Sequence, residues 1–159
     1  MEQYDLIIAG AGPAGSMLAR TVGRRERVLL VEQRNLHAPL GSGREKSCGG
    51  MLNLSAQKVL ASYGMGVPER VLQSPQVFTV RAIDYDSGLE RYYQKQYVNI
   101  DREAFDRWML TEALVQEHVE LRDQTAVVGF RQRSGGVEVQ LRGTDGRIEK
   151  VYTRYLAGT

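Results

Sequence analysis

The stretch YDLIIAGAGPAGSML, residues 4–18, decides how the rest of the chain is read. Its first half, Asp5–Ala9, is a short apolar run that stops at a glycine, the pattern of a strand buried in a parallel sheet. The second half changes period. Ala14, Met17, Leu18, Thr21 and Val22 fall on one face of a helix that opens at Pro13. Between the two, Gly10, Gly12 and Gly15 stand at G-x-G-x-x-G spacing. Glycine turns are common, so the spacing alone is a weak signal; the strand before it and the helix after it give it weight. In that context Gly10 permits the tight turn, Gly12 lets the backbone approach a pyrophosphate, and Gly15 lets helix and strand pack closely. With Pro13 and Ala14, these residues open a helix whose bare N–H groups and positive dipole end suit phosphates.

Working outward, Gly23 and the arginines at 24, 25 and 27 close this helix, and RVLLVE at 27–32 reads as a second buried strand. Glu32 ends it, twenty residues past Gly12. A carboxylate there accepts hydrogen bonds from an adenosine ribose and repels a 2′-phosphate, which disfavours NADP. Gln33 and Arg34, the next two residues, are assigned to the cofactor site with it. A simple nicotinamide domain would now repeat helix and strand, and this chain does not. A polar, glycine-rich loop follows Arg34, then a short helix near 55–63 with Ser55 as its N-cap and Gly64 beyond its end. Residues 76–85 and 89–98 read as a hairpin joined by DSG. Asp101 caps the strongest helix, whose apolar stripe is Phe105, Trp108, Met109 and Ala113, running to about Glu117. A brief strand at 119–121 precedes TAVVGFRQ, GVEVQLR and RIEKVYT, a three-stranded antiparallel meander with turns at Gly135-Gly136 and Asp145-Gly146. A separate final strand, RYLAGT, ends the sequence.

The 159 residues carry a formal net charge of +2, so nothing in the balance points to nucleic acid or an anionic membrane. One cysteine excludes an intramolecular disulfide and agrees with a reducing compartment. His37 and His118 are isolated from any metal-ligand spacing and read as surface residues. The start of the chain has no signal-peptide pattern, and no apolar run is long enough to span a bilayer. The expected location is the cytoplasm.

Three segments in order, YDLIIAGAGPAGSMLAR with VLLVEQR, then EKSCGGML, then YVNIDREAFDRWMLTEAL, make the chain resemble an FAD-dependent oxidoreductase. It is most similar to the geranylgeranyl reductase-like family, within the wider hydroxylase-type flavoproteins. The resemblance implies an α/β fold: a Rossmann-like FAD-binding domain of the glutathione reductase/hydroxylase type, with the antiparallel meander and an antiparallel hairpin from a substrate domain. On this reading residues 1–75 and 99–159 are part of the FAD-binding domain, and 76–98 is the hairpin of an incomplete substrate domain. The resemblance also places Cys48 and Gly49 against the flavin, although the family often has a small residue where Met51 stands. It assigns Arg102 to the cofactor's phosphate–ribityl region and the backbone of Ala126 to the adenine. The bland alternatives are a free cysteine in a loop and an Arg102 that is either solvated or a partner of Glu103 or Asp106.

What the resemblance implies for function is the reduction of carbon–carbon double bonds in an isoprenoid or lipid substrate, with FAD carrying the hydride chemistry. Electrons would come from NAD(P)H or a ferredoxin-type donor, and a lipid substrate would bring peripheral membrane contact. No catalytic residue is identified within these residues. The family's later Gly-Asp motif does not occur, so the chain reads as an N-terminal fragment, inactive by itself. The alternatives are an FAD monooxygenase or halogenase, and a non-catalytic nucleotide-binding module.

Overall fold

A computed structural model describes residues 3–39 and 48–159. Its described residues fall into two compact units, one made of 3–39 with 106–159 and the other of 48–105.

The first unit is built on strand β1 (Gln3–Ala9), helix α1 (Pro13–Val22) and strand β2 (Val28–Val31). β1 and β2 pair in parallel, Ile7 opposite Leu29 and Ile8 opposite Leu30. All four of these side chains are fully buried, each contributing roughly 1.5–3 kcal/mol by leaving water. Strand β6 (Val119–Arg122) adds to β2 in parallel. The meander follows as β7 (Ala126–Arg133), β8 (Gly136–Arg142) and β9 (Ile148–Gly158). The sheet order is β6-β2-β1-β9-β8-β7.

β9 differs from the sequence expectation. The third meander strand and the final strand are one continuous element of 11 residues. Its first part pairs antiparallel with β8 and its second part pairs parallel with β1. This strand therefore carries the chain from the meander into the parallel sheet. Two cores result. Ile7, Leu29 and Val31 pack with Val137, Val139, Leu141 and Val151, so the meander covers one face of the parallel strands. Ile8, Val28 and Leu30 pack on the other face with Ala19 of α1 and with Leu110 and Ala113. The latter two belong to helix α3 (Arg102–Leu114).

The face of α1 also shifts from the expected one. Gly15, Ser16 and Ala19 are its buried residues, with Leu18 and Val22 packed alongside, while Ala14 and Thr21 are exposed. Small residues line the buried face because the helix lies close against the strands.

The second unit holds β3 (Met51–Leu52), helix α2 (Leu54–Ser62), a 3₁₀ turn at Glu69–Val71, β4 (Val77–Asp84), β5 (Leu89–Asn99) and the start of α3. The expected hairpin is present as β4 and β5, and β3 joins its other side to give the order β3-β5-β4. The N-cap of α2 is Asn53 rather than Ser55: its side chain accepts from the Ala56 N–H over 2.8 Å. Asp101 does cap α3, accepting from the Ala104 N–H over 2.9 Å. No helix among the described residues is long and apolar enough to cross a membrane.

Candidate functional site

In the first unit the glycine loop joins the end of β1 to the start of α1. Gly10 has φ +113°, a conformation that side-chain-bearing residues rarely adopt. A Cβ placed on Gly15 would lie 1.9 Å from the Gly10 carbonyl oxygen, so that carbonyl can rest over the helix only because Gly15 has none. Gly12 is the N-cap and supplies no capping side chain, Pro13 opens the helix, and the first turn holds no acidic residue. The first-turn N–H groups, those of Ala14 and Gly15 included, have no partner within the helix. They form a positive, uncapped end suited to an anion.

Glu32 stands just beyond β2 and is 5% exposed. One carboxylate oxygen accepts from the Ala11 N–H and the Arg34 guanidinium, both over 3.0 Å. The other accepts from the Arg34 backbone N–H at 3.0 Å and its Nε at 3.1 Å. Burial pushes the Glu32 pKa up, but the hydrogen bonds from the Arg34 side chain and backbone and from Ala11, with the Arg34 charge, hold it below the ordinary value of 4.5. The residue is an anion at neutral pH, fixed beside the glycine loop.

Other expected residues converge on the same edge. The Thr125 N–H donates to the Glu32 carbonyl at 2.9 Å, and the Gln124 N–H donates to the Arg34 carbonyl at 3.1 Å. These bonds bring half-buried Ala126, the first residue of β7, next to the Glu32–Gln33–Arg34 segment. Gln33 is exposed there. Two residues that were not anticipated also contribute. Asp123 accepts from the Leu36 N–H at 3.1 Å, and Thr159 bonds to the glycine loop. Neither carries a motif that marks it in the sequence.

The second unit holds the other expected group. Arg102 Nη1 donates to the exposed Cys48 Sγ over 3.3 Å. Gly49 is exposed, and the Gly50 carbonyl accepts from the Ile100 N–H at 2.7 Å. The Cys48–Gly50 segment is thereby tied to the residues that lead into α3. Lys46, part of the same sequence motif, lies outside the described residues. An open groove of about 560 Å³ between α2 and β5, lined by Asn53, Ser55, Lys95 and Tyr97 among others, contains none of the expected site residues. No cluster of metal-ligating side chains occurs among the described residues.

The glycine cradle, the buried carboxylate and the uncapped helix end fit the adenine dinucleotide half of a cofactor. A family model described as an FAD binding domain matches residues 3–159. The chain belongs to the FAD binding domain family. Its cofactor is FAD, and the fold is the α/β FAD-binding fold with the smaller antiparallel sheet. Protein CbrA of Escherichia coli (strain K12) is 35% identical over 158 residues, which is 99% of this chain and 43% of that protein. The chain thus spans about two fifths of the length of the curated relatives it matches, which bear the name Protein CbrA rather than that of a geranylgeranyl reductase. A geranylgeranyl bacteriochlorophyll reductase-like protein from Thermoplasma acidophilum superposes with a TM-score of 0.81 at 20% identity, over 100% of this chain and 39% of its own. The OxyS anhydrotetracycline hydroxylase from Streptomyces rimosus has a TM-score of 0.72 at 25% identity, over 98% of this chain and 31% of its own.

Proposed function

We propose that this chain is the FAD-binding part of a flavin-dependent oxidoreductase that reduces carbon–carbon double bonds of an isoprenoid or other lipid substrate. The observation that supports it is the 3.3 Å contact between Arg102 and Cys48. It joins the two segments, Cys-Gly-Gly and Arg-x-x-Phe-Asp, on which the resemblance to geranylgeranyl reductase-like flavoproteins most depends. FAD, when bound, supplies the hydride-transfer chemistry.

The chain's own residues bind and orient the cofactor. In this reading Gly10, Gly12, Pro13, Ala14 and Gly15 hold the pyrophosphate, and Glu32 accepts from the adenosine ribose with Gln33 and Arg34 beside it. The Ala126 backbone meets the adenine. Cys48 and Gly49 lie against the flavin ring, and Arg102 neutralises charge near the phosphate–ribityl chain. Residues 76–98 serve a substrate domain. The hairpin supports that assignment, since Phe78, Tyr92 and Tyr93 stay exposed on it. The substrate is a small molecule or lipid, and reducing equivalents arrive from NAD(P)H or a ferredoxin-type protein.

The test is anaerobic. A protein that carries these residues at the full length of the relatives, loaded with FAD and chemically reduced, is mixed with a polyprenyl alkene while the oxidised flavin band is followed. Return of that band together with saturated product supports the reading. No return with the alkene, together with fast oxygen uptake in a parallel aerobic run with an aromatic substrate, refutes it in favour of a monooxygenase or halogenase. That second reading is favoured by one observation, the 25% identity to a hydroxylase over 98% of this chain.

A further inference from the structure

Two successive peptide units of the glycine loop are held from both sides. In the unit between Ala9 and Gly10, the Gly10 N–H donates to the Val31 carbonyl at 2.8 Å, while the Ala9 carbonyl accepts from the Thr159 N–H at 3.0 Å. In the unit between Gly10 and Ala11, the Ala11 N–H donates to Glu32 at 3.0 Å, and the Gly10 carbonyl accepts from the Thr159 hydroxyl at 3.0 Å. The same hydroxyl lies 3.2 Å from the Ala9 carbonyl oxygen, a longer and weaker alternative. One side of the clamp is thus β2 with Glu32, and the other is Thr159, the residue after β9.

The Thr159 hydroxyl also sits in space that only glycines leave. A Cβ on Gly10 would lie 2.7 Å from its oxygen, and one on Gly15 would lie 2.8 Å from it. Two of the three motif glycines therefore make room for this side chain as well as for a ligand. The chemistry of the site gives the contact a purpose. Pyrophosphate is anionic and needs N–H groups turned toward it and carbonyl oxygens turned away. A rotated Gly10–Ala11 peptide would aim its carbonyl at the phosphates and take the Ala11 N–H off Glu32.

We propose that Thr159 is a positioning residue for the FAD pyrophosphate, acting by holding the Gly10 carbonyl away from it through its hydroxyl. The assignment depends on FAD as the cofactor and is independent of which reaction the flavin serves. Thr159→Ala and Thr159→Ser in the full chain differ from each other only by the hydroxyl, so the pair isolates it. FAD affinity is read by quenching of flavin fluorescence, and ADP and adenosine affinities by competition. The expected result is an approximately tenfold loss of FAD and ADP affinity in T159A, with T159S within about threefold of the unmodified chain and adenosine unaffected. T159A binding FAD within twofold of the unmodified chain overturns the proposal. So does T159S falling as far as T159A, because the hydroxyl is then not the group that matters. A loss for adenosine equal to that for ADP also overturns it, since the whole nucleotide-binding edge would have loosened.

Discussion

Gly15→Ala tests the cradle most directly. The added Cβ would sit 1.9 Å from the Gly10 carbonyl oxygen, about 1.5 Å inside the shortest ordinary contact of 3.4 Å. It would also meet the Thr159 hydroxyl at 2.8 Å. The nearest atom is backbone, so no side-chain rotation relieves the overlap, and the loop and the start of α1 must part. Overpacking of this kind costs about 1–3 kcal/mol of stability. Losing one hydrogen bond from a loop N–H to a charged phosphate costs about 1.5–3 kcal/mol, roughly one to two orders of magnitude in affinity. The expected outcome is a folded chain, with its thermal midpoint lowered by several degrees and FAD affinity down by one to two orders of magnitude. Gly66→Ala is the control, because nothing lies within 4 Å of its added Cβ and Gly66 is not among the positive-φ glycines. That variant should unfold and bind FAD like the parent. Fluorescence titration of FAD against all three proteins, paired with thermal unfolding, reads both quantities. G15A binding FAD as tightly as G66A would refute the reasoning that the close approach of Gly10 to Gly15 shapes the cofactor loop.

Three further substitutions probe other parts of the molecule. Glu32→Gln replaces an acceptor-only group with one that also donates, opposite Ala11 and Arg34, and should weaken FAD binding by about tenfold to a hundredfold in the same titration. Because the folded pKa of Glu32 lies below the ordinary 4.5, its stabilisation is complete above that value and declines as pH falls toward the lowered one; melting curves of parent and E32Q should converge in acid. Arg102→Ala should leave a folded chain that loses flavin about tenfold faster on gel filtration, and unchanged retention would remove Arg102 from the cofactor site. Leu29→Ala opens a cavity in the fully buried core between β2 and the meander and should cost about 2–5 kcal/mol in a urea melt.

The parts legible in the sequence were those written in periodicity and turn chemistry. The change from strand to helix at Gly12, the hairpin around Ser87-Gly88 and the stripe of α3 all show their pattern in residue type. The buried face of α1 differs from the one periodicity picks out because Gly15 and Ser16 do not register as hydrophobic, although the close strands bury them with Ala19. The cap of α2 lies two residues before the expected Ser55, as Asn53 and Ser55 are both good N-caps and only the accepted bond from Ala56 separates them. β9 reads as two strands in the sequence because Arg154 interrupts its apolar run. In the fold that residue is exposed, 3.4 Å from Asp5 and stacked on Tyr155, at the point where the strand changes partner. The Glu32 carboxylate was foreseeable from its spacing to Gly12, whereas the loop contacts of Thr159 come from a strand pairing across nearly the whole chain.

That pairing sets an order of events during synthesis. Gly10 and Thr159 are far apart in sequence, yet they share a hydrogen bond. At roughly 5–20 residues per second, the ribosome takes about 8–30 s to add the residues between them. Over that interval the first β-α-β unit is free of its β9 side, and the loop lacks one half of its clamp. A nascent chain therefore reaches cofactor-binding competence only once β9 has been made and has paired with β1, the long-range closure that slows such topologies. Flavin supplied to ribosome-bound chains stalled before β9 should not be retained, and flavin supplied to chains stalled with β9 outside the ribosome should be.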